Sequence, residues 1–347
     1  MTKPYNGFSY LHNREQTVNI NGTNSHSHTL TCGIPQGSVL GPVLFNLYTS
    51  SLGRLLSHQG LCYHMYADDT VLYMCAAPNQ MDSAVHQLQE CIILVQQWMC
   101  QFELKMNNDK TEYLIISSKQ MSSRITPSSL LIGNSHITPS TSVRSLGVAI
   151  DQHVNMEIHV SNVCRIAYMQ LKNLGSLRRY LDKATLVCLV HAFVSSRLDY
   201  CNSLLHGLPT SLLHRLQCIQ NTAARIVTGS SKFDHITPIL MTLHWLPVEQ
   251  RVRYKILLMV FKAVHGLAPL YIQDLIKPYS PLRSLRSSSQ HLLQVPHTSH
   301  TLVQTRAFSV AGPRLWNALP QDLRTVPSIT VFKSKLKTYL FTQTYNT

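Results

Sequence analysis

The stretch that most constrains the fold is YHMYADDTVLY, residues 63–73, in which two adjacent acids separate apolar and aromatic runs. Tyr, Val, Met and Leu favour strands, and Ala-Asp-Asp suits a tight turn. The pattern therefore predicts a β-hairpin with Asp68 and Asp69 at its tip. An acid pair in a turn is most often only a solvated turn, so its chemical meaning depends on what the rest of the chain supplies.

The composition predicts a folded protein with an uneven charge. The chain has 347 residues, of which 44% are hydrophobic and 13% are charged, enough for one large or two ordinary domains. Residues 1–150 carry 8 Lys and Arg against 8 Asp and Glu, whereas residues 151–347 carry 22 against 8. A surplus of cations attracts a polyanion, most commonly a nucleic acid. An anionic membrane surface and a merely soluble basic protein are the alternatives.

The cysteines indicate a reducing compartment. Their number is nine, an odd count, and no C-x-x-C pair occurs. This pattern predicts reduced, mostly buried thiols and argues against a disulfide framework or a zinc knuckle. The sequence also lacks a signal-peptide pattern and an apolar run of membrane-spanning length. We therefore expect an intracellular protein, in the nucleus or the cytoplasm, without a membrane partner.

A glycine-rich loop precedes the acidic stretch. Gly and Pro punctuate residues 32–42, and apolar residues then recur at helical spacing from Leu44 to Leu56. This pattern predicts an amphipathic helix with Ser38 as its cap. The loop either simply lets the helix pack closely on a sheet, or lets Gln36 and Gly37 approach a nucleotide or a template strand.

The acidic stretch is followed by a helix and a polar turn. Asp82 is placed to cap a helix whose apolar stripe runs from Val85 to Met99. Residues 107–110 form a polar turn before a predicted strand at 112–116. Lys110 would then lie at the mouth of that strand, where an ordinary surface lysine is the default interpretation.

The second part of the chain is predicted to be mainly helical. VRSLGVAID, residues 143–151, is predicted to form a short strand that contains a glycine. The predicted helices cover residues 155–175, 182–195, 211–228, 249–266 and 331–341, and the stretch 278–300 has the Pro, Ser and His content of a mobile linker.

Four motifs in this order resemble those in the palm of reverse transcriptases from non-LTR, LINE-type retrotransposons. They are GIPQGSVLGPVLFNLY at 33–48, MYADDTVLY at 65–73, NNDKTEYLI at 107–115 and VRSLGVAID at 143–151. In that family the corresponding segments are the Gln-Gly motif, the Tyr-x-Asp-Asp motif, the lysine motif and the primer-gripping hairpin. Later stretches such as QCIQNTAARIVTG also resemble the region that follows the palm, so the resemblance covers nearly the whole chain.

The resemblance implies an α+β fold: a partial right-hand polymerase palm, with an antiparallel sheet and helices, followed by a mostly α-helical thumb and C-terminal region. The implied domains are a partial palm at 1–152, a helical thumb and connection-like region at 153–277, a flexible linker at 278–300 and a basic helical region at 301–347.

The resemblance also implies a role for each candidate residue in nucleotidyl transfer. Two Mg²⁺ ions would be held at the hairpin, with Asp68 the ligand to both metals and Asp69 the weaker ligand. The partners would be an RNA template, a DNA primer and a deoxynucleoside triphosphate. Tyr66 and Ala67 would touch the primer end, Gln36 and Gly37 would line the template and nucleotide pocket, Lys110 would neutralise or protonate the leaving pyrophosphate, and Leu146 and Gly147 would hold the primer backbone.

The family has a further metal-binding Asp upstream of the Gln-Gly loop, and this sequence begins too late to contain it. Glu15 is the only carboxylate before Asp68, and it lies in a polar stretch without strand-like support. We therefore expect an incomplete two-metal site and a chain that is inactive by itself. A non-catalytic basic nucleic-acid-binding module and an unstable relic of a mobile element are the alternatives. Oligomeric state and template specificity have no signal in the sequence.

Overall fold

A computed structural model of the protein describes residues 10–35, 37–126, 128–133, 135–280, 290–297 and 302–345. The chain divides into two compact units. The first unit comprises residues 1–113 and 117–139, and the second comprises residues 114–116 and 140–347. The domain boundaries implied by the family resemblance stay a prediction.

Every strand of the described chain pairs with one antiparallel neighbour, so the strands form five separate two-stranded sheets. The pairs are β1 (Arg14–Gln16) with β4 (His28–Leu30), β2 (Asn19–Ile20) with β3 (Thr23–Asn24), β5 (Cys62–Tyr66) with β6 (Asp69–Tyr73), β7 (Leu130–Ile132) with β8 (Ser135–Ile137), and β9 (Ser142–Ser145) with β10 (Val148–Asp151). Small antiparallel sheets with helices confirm the predicted α+β class.

Seven of the nine longer helices in the described residues match the predicted helices to within a few residues at their ends, whereas α6 and α8 were not predicted. They are α1 (Gly41–His58), α2 (Met81–Gln101), α3 (Glu157–Leu177), α4 (Lys183–Val190, which continues through a π-turn at His191–Ser195), α5 (Thr210–Thr228), α6 (Ile236–Thr242), α7 (Val248–Val264), α8 (Phe308–Asn317) and α9 (Ile329–Tyr345). Single helical turns occur at Lys119–Ser122, Ser196–Asp199, Leu270–Gln273, Leu302–Arg306 and Gln321–Arg324.

The core of the first unit lies between α1, α2 and the β5–β6 hairpin. Leu52 and Leu56 of α1 pack with Val95 and Trp98 of α2, and all four side chains are buried. The indole Nε1 of Trp98 donates a hydrogen bond to Ser51 Oγ at 3.1 Å, which ties the two helices together. These contacts confirm the predicted apolar stripe of α2 and give the hairpin a firm support.

The core of the second unit is larger and includes the C-terminal helices. Phe261 of α7 stacks on Phe332 of α9 with ring centroids 4.3 Å apart, and Trp316 of α8 lies 5.9 Å from Phe332. All three rings are fully buried. Residues 281–289 and 298–300 of the predicted linker lie outside the described residues, whereas Leu293 within it is buried against this core.

Three expectations from the sequence need correction. Residues 112–116 form no strand, because no neighbouring segment of the described chain offers them a ladder of hydrogen bonds. Asp82 lies inside the first turn of α2 and not at its cap. The thiols are not mostly buried: all nine are free, but only Cys91 and Cys164 are buried and five are exposed.

VRSLGVAID forms more than the single strand expected from its residues. It folds into the β9–β10 hairpin, in agreement with the hairpin that the family resemblance implies. None of the helices in the described part of the chain is both long and apolar enough to cross a membrane.

Candidate active site

The acidic stretch forms the predicted hairpin with a two-residue turn. Tyr66 pairs with Asp69 at the end of the ladder, and Ala67 and Asp68 form the turn between them. Ala67 has a φ of 52°. A positive φ at the first turn residue is typical of the type II′ turn, whose twist matches that of the strands. An alanine there is strained by about 1 kcal/mol or more, and strain of this kind is often found at functional sites.

One face of the hairpin anchors it to the core of the first unit. Tyr63, Met65 and Leu72 pack against the buried residues of α1 and α2. Gly53 of α1 permits a close approach, because a Cβ built there would lie 3.2 Å from the phenolic oxygen of Tyr63. That oxygen also lies 3.1 Å from Ser57 Oγ. The backbone of the turn is therefore held by packing on both strands.

The other face of the hairpin is turned away from this core and carries Asp69. It exposes Tyr66, Val71 and Tyr73, whose exposed fractions are 67%, 43% and 43%. His64 stacks on Tyr73 across the strands, with ring centroids 5.3 Å apart and Nε2 3.2 Å from the phenolic oxygen. Burial raises the pKa of Tyr73 above its ordinary value, with smaller contributions from Cys62 and Cys75. The exposed face therefore places aromatic side chains around the carboxylate of Asp69.

Asp68 and Asp69 are both exposed. Neither carboxylate has a hydrogen bond or an ion pair among the described residues. Their oxygens are the hard ligands that Mg²⁺ prefers, so the donor type fits a magnesium site. The number of donors falls short, because no group of three or more His, Cys, Asp or Glu side chains that could hold a metal occurs in the described ranges. The hairpin offers two ligands of a site that needs more.

The glycine-rich loop leads into α1 as the sequence predicts. Gly37 has a φ of 78°, and a Cβ built there would meet no atom within 4 Å. Ser38 Oγ accepts a hydrogen bond from the first backbone N–H of α1, at Gly41, over 3.1 Å, and Tyr10 donates its hydroxyl to the same oxygen. The N-cap position itself is occupied by Leu40, so the prediction that Ser38 is the cap residue was wrong, although Ser38 accepts a hydrogen bond from the first N–H group of the helix. Gln36 lies outside the described residues.

Lys110 ends a short 3₁₀ turn, Asn108–Lys110, in the first unit. Asn107 Oδ1 accepts a hydrogen bond from the backbone N–H of Lys110 at 3.3 Å, which holds the turn. The side chain of Lys110 is exposed and makes no ion pair within the described ranges. It is a cation available to an anionic ligand.

Leu146 and Gly147 belong to the second unit, where they form the turn of the β9–β10 hairpin with φ values of 45° and 83°. The phenolic hydroxyl of Tyr200 donates a hydrogen bond to the carbonyl oxygen of Leu146 at 2.6 Å. A Cβ built at Gly147 would lie 3.5 Å from the ring of Tyr200. Sequence reasoning missed Tyr200, because no local pattern relates residues 54 positions apart.

Asp151, at the end of β10, was also missed as a structural residue. Its carboxylate is buried and accepts hydrogen bonds from the backbone N–H groups of His153 and Asn155, each at 3.0 Å, and of Met156 at 2.8 Å. Those bonds shape the loop that enters α3. An Asp within five residues of a helix start is the signal that could have revealed it.

Comparison with known proteins identifies the first part of the chain. Residues 3–150 match the family described as reverse transcriptase (RNA-dependent DNA polymerase). This range contains the hairpin, the first three motifs and all of the fourth except its last residue, Asp151. By sequence, residues 3–150 correspond to a reverse transcriptase domain. The predicted resemblance to non-LTR retrotransposon enzymes is confirmed by similarity to three polymerases of Drosophila melanogaster mobile elements. Enzymes of the reverse transcriptase family generally use divalent metal ions.

Three Drosophila melanogaster proteins are similar over a longer range than the reverse transcriptase domain. The probable RNA-directed DNA polymerase from transposon BS is 26% identical over 260 residues, which is 72% of this chain and 28% of the relative. The probable RNA-directed DNA polymerase from transposon X-element is 26% identical over 244 residues, which is 68% of this chain and 26% of the relative. The RNA-directed DNA polymerase from mobile element jockey is 24% identical over 233 residues, which is 64% of this chain and 24% of the relative. This chain thus spans about a quarter of each relative, and the similarity continues beyond residue 150.

Proposed function

We propose that the reverse transcriptase domain supplies part of a site for RNA-directed DNA synthesis, centred on Asp68. The observation that carries the proposal is the position of two exposed carboxylates, Asp68 and Asp69, at the turn of a hairpin anchored in a core. Rigid support and an absence of protein partners in the described chain leave both carboxylates available to a cation. A solvated surface turn needs no such anchoring.

In the proposed reaction the 3′-hydroxyl of a DNA primer attacks the α-phosphorus of a deoxynucleoside triphosphate that is paired with an RNA template. A new P–O bond forms as the bond to the leaving pyrophosphate breaks. Asp68 and Asp69 would hold Mg²⁺, which when bound lowers the pKa of the hydroxyl and neutralises phosphate charge. Lys110 would meet the pyrophosphate and neutralise or protonate it.

The remaining candidate residues would position the substrates. Tyr66 and Ala67 would lie against the primer end, and Leu146 and Gly147 would hold its backbone. Gln36 and Gly37 would line the template and nucleotide pocket. For Gly37 the support is its positive φ and the open space around it, which allow another chain to approach the backbone closely.

We also propose that this chain alone extends a primer poorly. Mg²⁺ requires six oxygen ligands in near-octahedral geometry. Two adjacent carboxylates leave most of these positions to water, and no third acid joins them within the described ranges. The metal would be held weakly and the triphosphate oriented poorly, so the rate would stay near background.

Metal binding tests the site directly. Mn²⁺ titrations followed by electron paramagnetic resonance should show weak binding to the chain, and binding should be lost in the double variant Asp68→Ala/Asp69→Ala. Glu90→Gln, which removes an exposed acid of α2, is the matched control and should bind as the wild type does. Unchanged Mn²⁺ binding in the double variant would contradict the proposal that Asp68 and Asp69 bind the metal.

Primer extension tests the activity. With a poly(rA) template, an oligo(dT) primer, dTTP and Mg²⁺ or Mn²⁺, we expect incorporation near background. Robust incorporation that Asp68→Ala abolishes would contradict the proposed inactivity and establish the catalytic role. Incorporation that Asp68→Ala leaves intact would instead argue against the site.

A non-catalytic nucleic-acid-binding protein is the second candidate, favoured by the 22 Lys and Arg against 8 acids after residue 150. Its binding would weaken steeply with salt, would not depend on Mg²⁺ and would survive Asp68→Ala. Either function places the protein with its nucleic acid inside the cell, in the nucleus or the cytoplasm.

A further inference from the structure

Helices α3 and α5 of the second unit lie side by side and run in the same direction. Near their starts, Arg215 Nη2 donates a hydrogen bond to Ser161 Oγ at 3.0 Å. Near their ends, a Cβ built at Gly175 would lie 4.0 Å from Ile226 Cδ1. The carboxyl ends of both helices therefore meet at the same end of the pair.

Basic residues gather at this shared end. The guanidinium of Arg178 lies against Gly229, since a Cβ built at Gly229 would approach its Cζ to 3.1 Å. Arg225 donates to the carbonyl oxygens of Ser231 at 3.1 Å and Asp234 at 3.2 Å. Cations at helix carboxyl ends compensate the partial negative charge of the carbonyl groups there. Arg178 and Arg225 are accounted for by this structural role.

Two further cations have no such role. Arg179 and Lys232 make no hydrogen bond or ion pair within the described ranges. The two neighbouring acids, Asp182 and Asp234, form no ion pair with these cations and accept hydrogen bonds from the backbone N–H groups of Thr185 and Ser231, each at 2.7 Å. Because the cations at this end outnumber these two acids, their charges offset only part of the positive charge.

Each of these two cations lies over an exposed aromatic ring. Arg179 Cζ is 4.8 Å from the ring centroid of Tyr180, and Lys232 Nζ is 4.9 Å from that of Phe233. Tyr180 is 70% exposed and Phe233 is 83% exposed. A packing role does not explain rings that stand so far out of the core. Contact between Arg178 and Gly229 brings the two segments together, and we term Arg179, Tyr180, Lys232 and Phe233 the basic–aromatic patch.

We propose that the basic–aromatic patch binds single-stranded RNA. The cations match the negative charge of the phosphates, and the exposed rings of Tyr180 and Phe233 offer faces on which unpaired bases stack. A duplex hides its base faces, so rings of this kind favour single strands. The choice of RNA over DNA rests on the proposed function, in which the template is RNA, whereas the binding itself requires no catalysis.

The test is fluorescence anisotropy with the full chain and a labelled 15-nucleotide single-stranded RNA, in EDTA, over a range of NaCl concentrations. Tyr180→Ala/Phe233→Ala should weaken binding at least about tenfold, since each stacked base contributes roughly a factor of 5 to 150. Phe233→Tyr keeps the ring and should restore most of the affinity lost in Phe233→Ala. The exposed Tyr279, changed to Ala, is the aromatic control and should have little effect.

The charge test uses Arg179→Gln/Lys232→Gln. Loss of two phosphate contacts should reduce the steepness with which the logarithm of the association constant falls with the logarithm of salt concentration. The expected reduction is about 1.4, at roughly 0.7 per contact for a single strand. Lys333→Gln/Lys335→Gln removes the same charge from α9 and should leave the slope nearly unchanged. Thermal unfolding of each variant checks that the fold is retained.

Several results would overturn the proposal. One is an equal loss of RNA affinity in the patch variants and in their controls. Others are equal affinity for a double-stranded RNA of the same length, and tighter binding to single-stranded DNA than to RNA. Binding to anionic phosphatidylserine vesicles without binding to RNA would also overturn it. Because the assay contains no metal or nucleotide, its failure is separate from failure of the polymerase proposal, which metal binding and primer extension decide.

Discussion

The phenolic hydroxyl of Tyr200 donates a hydrogen bond to the carbonyl oxygen of Leu146, 2.6 Å away, and so holds the turn of the β9–β10 hairpin from outside. The ring also covers Gly147, which has a φ of 83°. One side chain thus fixes both residues that the reverse transcriptase resemblance assigns to the primer backbone. Their position depends on a residue far away in the sequence.

The first prediction follows from this contact. Tyr200→Phe keeps the ring and removes the hydrogen bond, so the free energy of unfolding of the second unit should fall by about 1 kcal/mol. Urea denaturation followed by circular dichroism measures it. Tyr279→Phe, which removes an exposed hydroxyl, should stay within about 0.5 kcal/mol of the wild type. A Tyr200→Phe protein as stable as this control would contradict the role of the contact.

The strained turn residue Ala67 gives the second prediction. Glycine adopts a φ of 52° without strain, so Ala67→Gly should unfold at the same or a higher urea concentration than the wild type, with a gain of up to about 1 kcal/mol. The β-branched Ala67→Val should lose more than about 1 kcal/mol. Val71→Thr, on the exposed face of the hairpin, is the control for a substitution in a strand and not in the turn. The reverse order of the Gly and Val variants would show that the turn is not strained.

Arg306 gives the third prediction. Its guanidinium donates to the carbonyl oxygens of Val154 at 2.8 Å, His206 at 2.9 Å and Leu204 at 3.0 Å, and so joins three segments of the second unit. Lysine cannot reproduce this fork, so Arg306→Lys should lower the free energy of unfolding by about 2 kcal/mol or more. Arg314→Lys, at an exposed position, should change it little. Equal stability of the two variants would refute the argument.

Buried histidines give the fourth prediction. Burial lowers the pKa of His159, which is 6% exposed, below its ordinary value of 6.5. The folded state therefore disfavours the charged imidazole that the unfolded chain carries below about pH 6.5. Stability from this residue is present in full above the unfolded pKa and is lost as the pH falls below it.

Urea denaturation between pH 7.5 and 5.0 measures this effect. The wild type should lose stability as the pH falls, and His159→Leu should show a shallower slope, by at most about 1.4 kcal/mol per pH unit for one proton. His297→Gln, at an exposed position, should keep the slope of the wild type. An unchanged slope in His159→Leu would mean that burial does not lower the pKa of this histidine.

Part of the fold and of the candidate site follows from local sequence. The hairpin at 63–73 and the helices near 155–175 and 211–228 were predicted because strand alternation, turn residues and helical periodicity are short-range properties. The strand expected at 112–116 was wrong, since a strand also needs a partner that local pattern does not supply. The roles of Asp68, Asp69 and Lys110 stay predictions that rest on motif resemblance.

The sequence by itself determined the order of the motifs, the acidic turn and the uneven charge, because each is a property of neighbouring residues or of composition. Only the tertiary structure decided which distant groups meet. It placed Tyr200 against Leu146, Arg306 on three carbonyl groups and Arg178 beside Gly229. These contacts join residues 51 to 152 positions apart, and they depend on how helices pack, which no local pattern encodes.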